Sequence, residues 1–242
     1  MYKTYRYTLV FAALLVSLLM GTAKAQETIF NVPSPDVLDR GKFYLETDQY
    51  FRPWKTSSDS AAFGLLRGVY GVGYNIETGF NAGPFDYLYT NRPFLDATVK
   101  WRPVLHEFGE GDAKGAVGLI VGDNLGVGLR HDVAGHIRNL VYGSGFVTIP
   151  GTKTRFSAGL YHATRDVFTK NSRVGGQVTF EQPIPGIDGL TVAADWFSGT
   201  GAAFTPGLIW NKDRTFIYAG YGFANTGRKD DLITLEFGYM LK

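Results

Sequence analysis

An all-β fold, an antiparallel up-and-down transmembrane β-barrel closed by about 12 strands, is predicted by three features of this sequence. Apolar and polar residues alternate by twos in short segments down the chain. Gly, Pro, Asn and Asp punctuate those segments. The last segment, "LITLEFGYMLK", ends the sequence with one apolar face, Ile233, Leu235, Phe237, Tyr239 and Leu241, and nothing downstream to cover it. Successive strand side chains point to opposite sides, so each segment has one apolar and one polar face.

The first 25 residues read as a secretory leader. Lys3 and Arg6 precede an apolar run from Thr8 to Met20, and Ala23-Lys24-Ala25 is a small-x-small cleavage site. The run is too short to span a bilayer, which takes about 20 residues. No Cys occurs, which excludes a lipid-anchored form and a disulfide scaffold. Lys3, Arg6 and Lys24 fall in the leader, so the formal charge of +2 turns slightly negative without it. No basic patch points to nucleic acid. Residues 26–41 form an N-terminal segment in which "SPDVLDRG" predicts a one-turn helix, with Ser34 as N-cap, Pro35 first and Gly41 past the end. This segment either plugs one mouth of the barrel or hangs loose. The barrel itself takes 42–242.

The strands follow in order, with polar partners on alternate positions. Lys42–Arg52 sets Phe43, Leu45 and Phe51 against Lys42, Glu46, Asp48 and Arg52. Phe63–Val72 sets Leu66, Tyr70 and Val72 against Arg67, and Ile76–Ala82 sets Ile76 and Phe80 against Glu77. Phe94–Arg102 sets Leu95, Val99 and Trp101 against Asp96, Lys100 and Arg102. Ala116–Gly122 offers Val117, Leu119 and Val121; Asn139–Thr148 offers Leu140, Tyr142 and Phe146, with Gly143 and Gly145 on its other face. Arg155–Ala163 sets Phe156 and Leu160 against Arg155, and Gln177–Gln182 sets Val178 and Phe180 against Glu181. Leu190–Ser198 sets Val192 and Trp196 against Asp195; Phe204–Trp210 and Thr215–Phe223 offer Leu208, Trp210, Tyr221 and Phe223; Leu232–Leu241 carries Glu236 on its polar face. A three-residue turn at "GYN" pairs Tyr70 with Thr78, and a two-residue turn at Lys212-Asp213 pairs Leu208 with Ile217. Connections trend short at one end and long at the other, with "PVLHEFGEGDAKG" as the exception.

A soluble sandwich has the same alternation. The even strand count, the alternating connections and the uncovered last strand favour a barrel, whose closure removes both edges. The terminal segment resembles the C-terminal signal strand of Gram-negative outer-membrane β-barrel (porin-like) proteins, with Leu241-Lys242 where that family ends on an aromatic. The resemblance implies the outer membrane as location and the barrel-assembly machinery as a partner during biogenesis.

A Lys or Arg facing lipid at mid-bilayer costs about 2–4 kcal/mol, so the charged face turns inward. The pore-lining candidates are then Lys42, Glu46, Asp48, Arg52, Arg67, Glu77, Asp96, Lys100, Arg102, Arg155, Glu181, Asp195 and Glu236, some pairing across strands. Trp101, Tyr142, Trp196, Trp210, Tyr221, Phe223 and Tyr239 are the candidate membrane-interface aromatics. The expected function is a narrow polar channel for small hydrophilic solutes or ions. The alternative is a non-conducting barrel that binds a protein partner or ligand through loops bearing Phe85, Tyr87 and Tyr89. No cofactor, metal site or catalytic residue is expected. His131, Asp132 and His136 match no standard metal spacing, and Ser157 and His162 fall on opposite faces of one strand.

Overall fold

The computed structural model describes residues 28–54, 62–86, 93–129, 137–164, 173–200 and 202–241. The expected leader and Tyr87, Tyr89, His131, Asp132 and His136 lie outside the described residues. Twelve strands close into one barrel, each antiparallel to its chain neighbours: β1 (Phe43–Phe51), β2 (Ala62–Gly73), β3 (Ile76–Asp86), β4 (Phe94–Phe108), β5 (Gly115–Gly128), β6 (Ile137–Thr148), β7 (Arg155–Ala163), β8 (Val174–Pro183), β9 (Leu190–Phe197), β10 (Ala203–Lys212), β11 (Thr215–Ala224) and β12 (Leu232–Met240). The terminal strand zips onto the first, with Tyr44 opposite Met240 and Phe51 opposite Ile233. That pairing answers the uncovered edge of the sequence, because closure leaves no unpaired ladder. Among the described residues no helix is long and apolar enough to cross a membrane, which says nothing of strands.

Three connections differ from the sequence expectation. Pro103 does not end β4. A bulge between Trp101 and Val104 absorbs it, and the strand continues to Phe108 opposite Gly115. The connection after β4 therefore shrinks to 109–114, and the exception disappears. At the β2–β3 turn the three-residue loop is wrong. Tyr74 and Asn75, with φ of 55° and 58°, form a two-residue turn that closes on Gly73 opposite Ile76. Val72 becomes the extra residue of a bulge, so Tyr70 still faces Thr78 and the faces stay separate. At the β10–β11 turn the loop is Asp213-Arg214, with Asp213 at φ 53°. Leu208 consequently meets Ala219, two positions from the predicted Ile217, which preserves parity. The turns 74–75, 109–114, 149–154, 184–189 and 213–214 lie at the end where β1 starts and β12 stops, and the connections at the other end are longer except for 198–202.

One strand is inverted relative to the sequence expectation. Leu140, Tyr142 and Phe146 of β6 are buried, while Val141 and Val147 point outward and are exposed. Gly143 and Gly145 share that outward face. The larger apolar side chains were expected on the outside. The interior here takes them instead, in a cluster with Val32, Ile120, Tyr161 and Phe197. Tyr142 is therefore no interface aromatic.

Candidate functional site

The barrel interior is the candidate site, and its central feature is the segment 28–38, which runs inside the wall. Ile29, Phe30 and Val32 are completely buried and Leu38 nearly so. Ile29, Phe30 and Leu38 join Tyr44, Val69, Ile209, Phe216, Tyr218 and Met240 in one cluster. Val32 joins the opposite cluster on β5–β9. The segment thus bridges the lumen from one wall to the other. The one-turn helix expected over 34–41 is absent. Ser34 Oγ accepts a local bond from Asp36 N at 3.2 Å. The wall satisfies the rest, which removes the reason for a helix. Leu38 N donates to Glu77 Oε2 at 2.7 Å, and the Asp36 carboxylate goes to Arg155.

Asp195 on β9 is the strongest anchor. Its Oδ2 accepts the backbone N–H groups of Phe30 (3.0 Å), Asn31 and Val32 (2.7 Å). Three consecutive amides converging on one oxygen make an anion nest, held in shape by the Ile29 N to Val32 O bond of 2.9 Å. Phe30 sits over Gly207 and Gly220, which face each other across β10 and β11; a Cβ on Gly207 would lie 2.6 Å from its ring.

The predicted charged face turns inward as a series of ion pairs. Arg67 meets Asp48 at 2.7 Å and Glu46 at 3.5 Å and donates to Thr28 Oγ1 at 3.3 Å. Lys100 meets Glu77 at 2.8 Å. Arg155 bonds both Asp36 and Glu181. Arg102 reaches Pro35 O and Asn75 Oδ1 from near the turn end. Glu236 lies beside Asp48 and Glu46. Asp96 pairs with Arg138 at 3.4 Å. Lys42 is exposed just before β1, and Arg52, just after it, sits over the Phe63 ring at 5.3 Å.

Two partners were missed from the sequence. Arg138 lies one residue outside the predicted start of β6 and on the side misread as outward. Asp36 was assigned to a helix turn. Burial opposes a charge on Asp36, but Arg155 at bonding distance, with Lys100 and Arg102 farther off, outweighs it and holds the carboxyl down at about 2.

Beside the inserted segment remains a cavity of about 130 Å³, lined by Thr28, Asn31, Arg67, Asn81, Asp96 and Arg138 among others. Outside, Trp101 pairs with Ile76 beside the β2–β3 turn, Trp210 and Tyr239 belong to the turn-end half of their strands, and Trp196, Tyr221 and Phe223 to the opposite half. Leu95, Val99, Val178, Leu208 and Phe237 are exposed on the outward face. No family model matches the chain, and no curated protein matches it. The closed antiparallel 12-strand architecture fits the barrel fold of outer membranes.

Proposed function

We propose that this chain is an outer-membrane β-barrel, delivered by a cleaved leader, that forms a narrow polar channel closed at rest by its own N-terminal segment. The carrying observation is the segregation of faces around a closed wall. Apolar side chains such as Leu95, Val99, Leu208 and Phe237 point out, and the paired charges point in. An exposed apolar girdle on a closed barrel is stable in lipid and unfavourable in water. Short turns at the end where β1 starts and β12 stops fit the periplasmic side.

Passage of small hydrophilic solutes requires the segment to yield. Part of its attachment is polar, through Asp195, Arg155, Glu77 and Arg67, and such bonds are replaceable by water once the segment moves. The 130 Å³ cavity beside it is the residual lumen. No catalytic role is assigned. The inward hydroxyls Ser157 and Thr179 bond each other at 2.6 Å, and His162 lies on the outward face of the same strand.

A second reading has one observation behind it. The segment also packs through Ile29, Phe30 and Val32 into two apolar clusters, as a permanent core would. That barrel would be a non-conducting scaffold acting through its loops. Planar-bilayer recording separates the two. The full chain is expected to be mostly silent, and deletion of residues 28–38 to give sustained steps. A deletion variant that refolds with full β-structure and stays silent removes the channel reading.

A further inference from the structure

Most interior carboxylates face a cation or a set of N–H donors: Glu77 has Lys100, Asp96 has Arg138, and Asp195 has three amides. The group at the closing seam instead sets carboxylates against carboxylates. Glu46 and Asp48 of β1 and Glu236 of β12 each place a carboxylate oxygen within 4.8 Å of the others, and all three are buried. Asp48 and Glu236 are direct register partners. Like charges directly opposite one another oppose strand pairing, and this pair sits where the barrel must close. Arg67 is bonded to the group, at Asp48 Oδ2 and Glu46 Oε1. Thr234 donates to Glu236 Oε1 at 3.2 Å, and Tyr50 reaches Asp48 Oδ2 at 3.4 Å. Asp48 Oδ1 and Glu236 Oε2 are buried with no hydrogen-bond partner.

An independent observation comes from the neighbouring strand. Tyr218 of β11 is opposite Glu236 in register and 1% exposed, and its hydroxyl has no hydrogen-bond partner. The carboxylates acting most strongly on it are Glu46 and Glu236. A buried phenol oxygen therefore looks onto the same oxygen-lined space without an acceptor or donor to meet it.

We infer that Glu46, Asp48 and Glu236, with the Tyr218 hydroxyl, bind one hard divalent cation of the calcium type, which clips β1 to β12 across the barrel seam. The two closing strands crowd three buried carboxylates into one space, and a divalent ion offsets their mutual repulsion. All donors are oxygens, the set that hard cations take. Calcium's flexible coordination suits mixed carboxylate and hydroxyl ligands better than magnesium's strict, water-rich octahedron.

The test uses the full chain, stripped with chelator and refolded in detergent micelles free of lipopolysaccharide, with Tb³⁺ as probe. Tyr50 and Tyr218 serve as antennae for sensitised luminescence. The expected result is a saturable signal of about one ion per chain, displaced by Ca²⁺ and lost in Glu236→Gln and in Asp48→Asn. Stability against urea should rise with Ca²⁺ in the wild type, as mass action requires of an ion bound by the folded state, and not in those variants. Should the carboxylate variants fail to fold, Tyr218→Phe keeps the charges, removes one ligand, and is expected to weaken Tb³⁺ binding several-fold. Absence of wild-type luminescence, or its survival undiminished in the variants that fold, overturns the inference. So does a wild type indifferent to Ca²⁺ whose Glu236→Gln form is the more stable, for that result makes shared protons the counter-charge.

Discussion

Arg155 on β7 grips both oxygens of Asp36, Nη1 to Oδ1 at 2.7 Å and Nη2 to Oδ2 at 2.8 Å, and so ties the N-terminal segment to the barrel wall. The same guanidinium bonds Glu181 through Nε. Both acids depend on it. Arg155→Ala leaves two carboxylates without their cation, and such a loss costs about 3–5 kcal/mol when the groups are buried. Arg155→Lys is expected to recover little, because an ammonium has no fork to hold two oxygens at once. Urea unfolding of the refolded variants measures the first effect. Conductance measures the second, with both variants opening more often than the wild type.

Acid should loosen this attachment late. Asp36 has its carboxyl held at about 2, against an ordinary value of 3.8. A depressed carboxylate adds stability above its unfolded value and loses it as pH falls through the folded one. The difference in stability between wild type and Asp36→Asn should be constant from neutral pH to about 4 and shrink between about 4 and 2. A difference that collapses already near pH 6 contradicts the pairing.

Asp195→Asn tests the nest. The amide keeps one acceptor oxygen but loses the charge that draws three N–H groups together. Hydrogen bonds to charged groups are worth about 1.5–3 kcal/mol, so the segment should open far more often. Hydrogen exchange reads this locally. The amides of Phe30, Asn31 and Val32 should lose protection by about ten-fold or more, while those of β9 and β10 keep theirs.

The wall was legible in the sequence because alternation by twos survives every boundary error. The turn at Tyr74-Asn75 and the one at Asp213-Arg214 were both misplaced, yet Tyr70 still met Thr78 and no face was exchanged. The ion pairs Glu77–Lys100 and Arg155–Glu181 follow from charges on the polar face of adjacent strands. The filling was not legible. A rule that sends large apolar residues outward fails for β6, where Val32 of the inserted segment makes an apolar interior for Leu140, Tyr142 and Phe146. Nor does local sequence reveal that "SPDVLDRG" has partners on β3 and β7, more than thirty residues away. The acidic group at the seam was in view as single wall residues. Only closure brings Glu236 to Asp48, from opposite ends of the barrel sequence.

Gly220→Val reports on the seat of Phe30. The three atoms nearest a Cβ at this position are the Thr205 methyl at 2.9 Å and the Phe30 ring and Thr234 methyl at 3.1 Å. All three are side-chain atoms, so the ring shares the cost and the wall backbone is spared. Gly207 is the poorer probe, because its Cβ would also strike the Ala219 carbonyl at 2.3 Å and distort the wall itself. Overpacking of this kind costs about 1–3 kcal/mol, and Phe30→Ala alone about 3–5 kcal/mol from the lost burial. Together they should cost less than their sum by about 1 kcal/mol or more, because valine's methyls occupy space that the ring has vacated. Additive effects would mean that ring and glycine do not touch, and that the segment is not seated on β10 and β11. Coupling in stability, joined to longer open times for Gly220→Val in planar bilayers, ties this one contact to both the packing of the lumen and its closure.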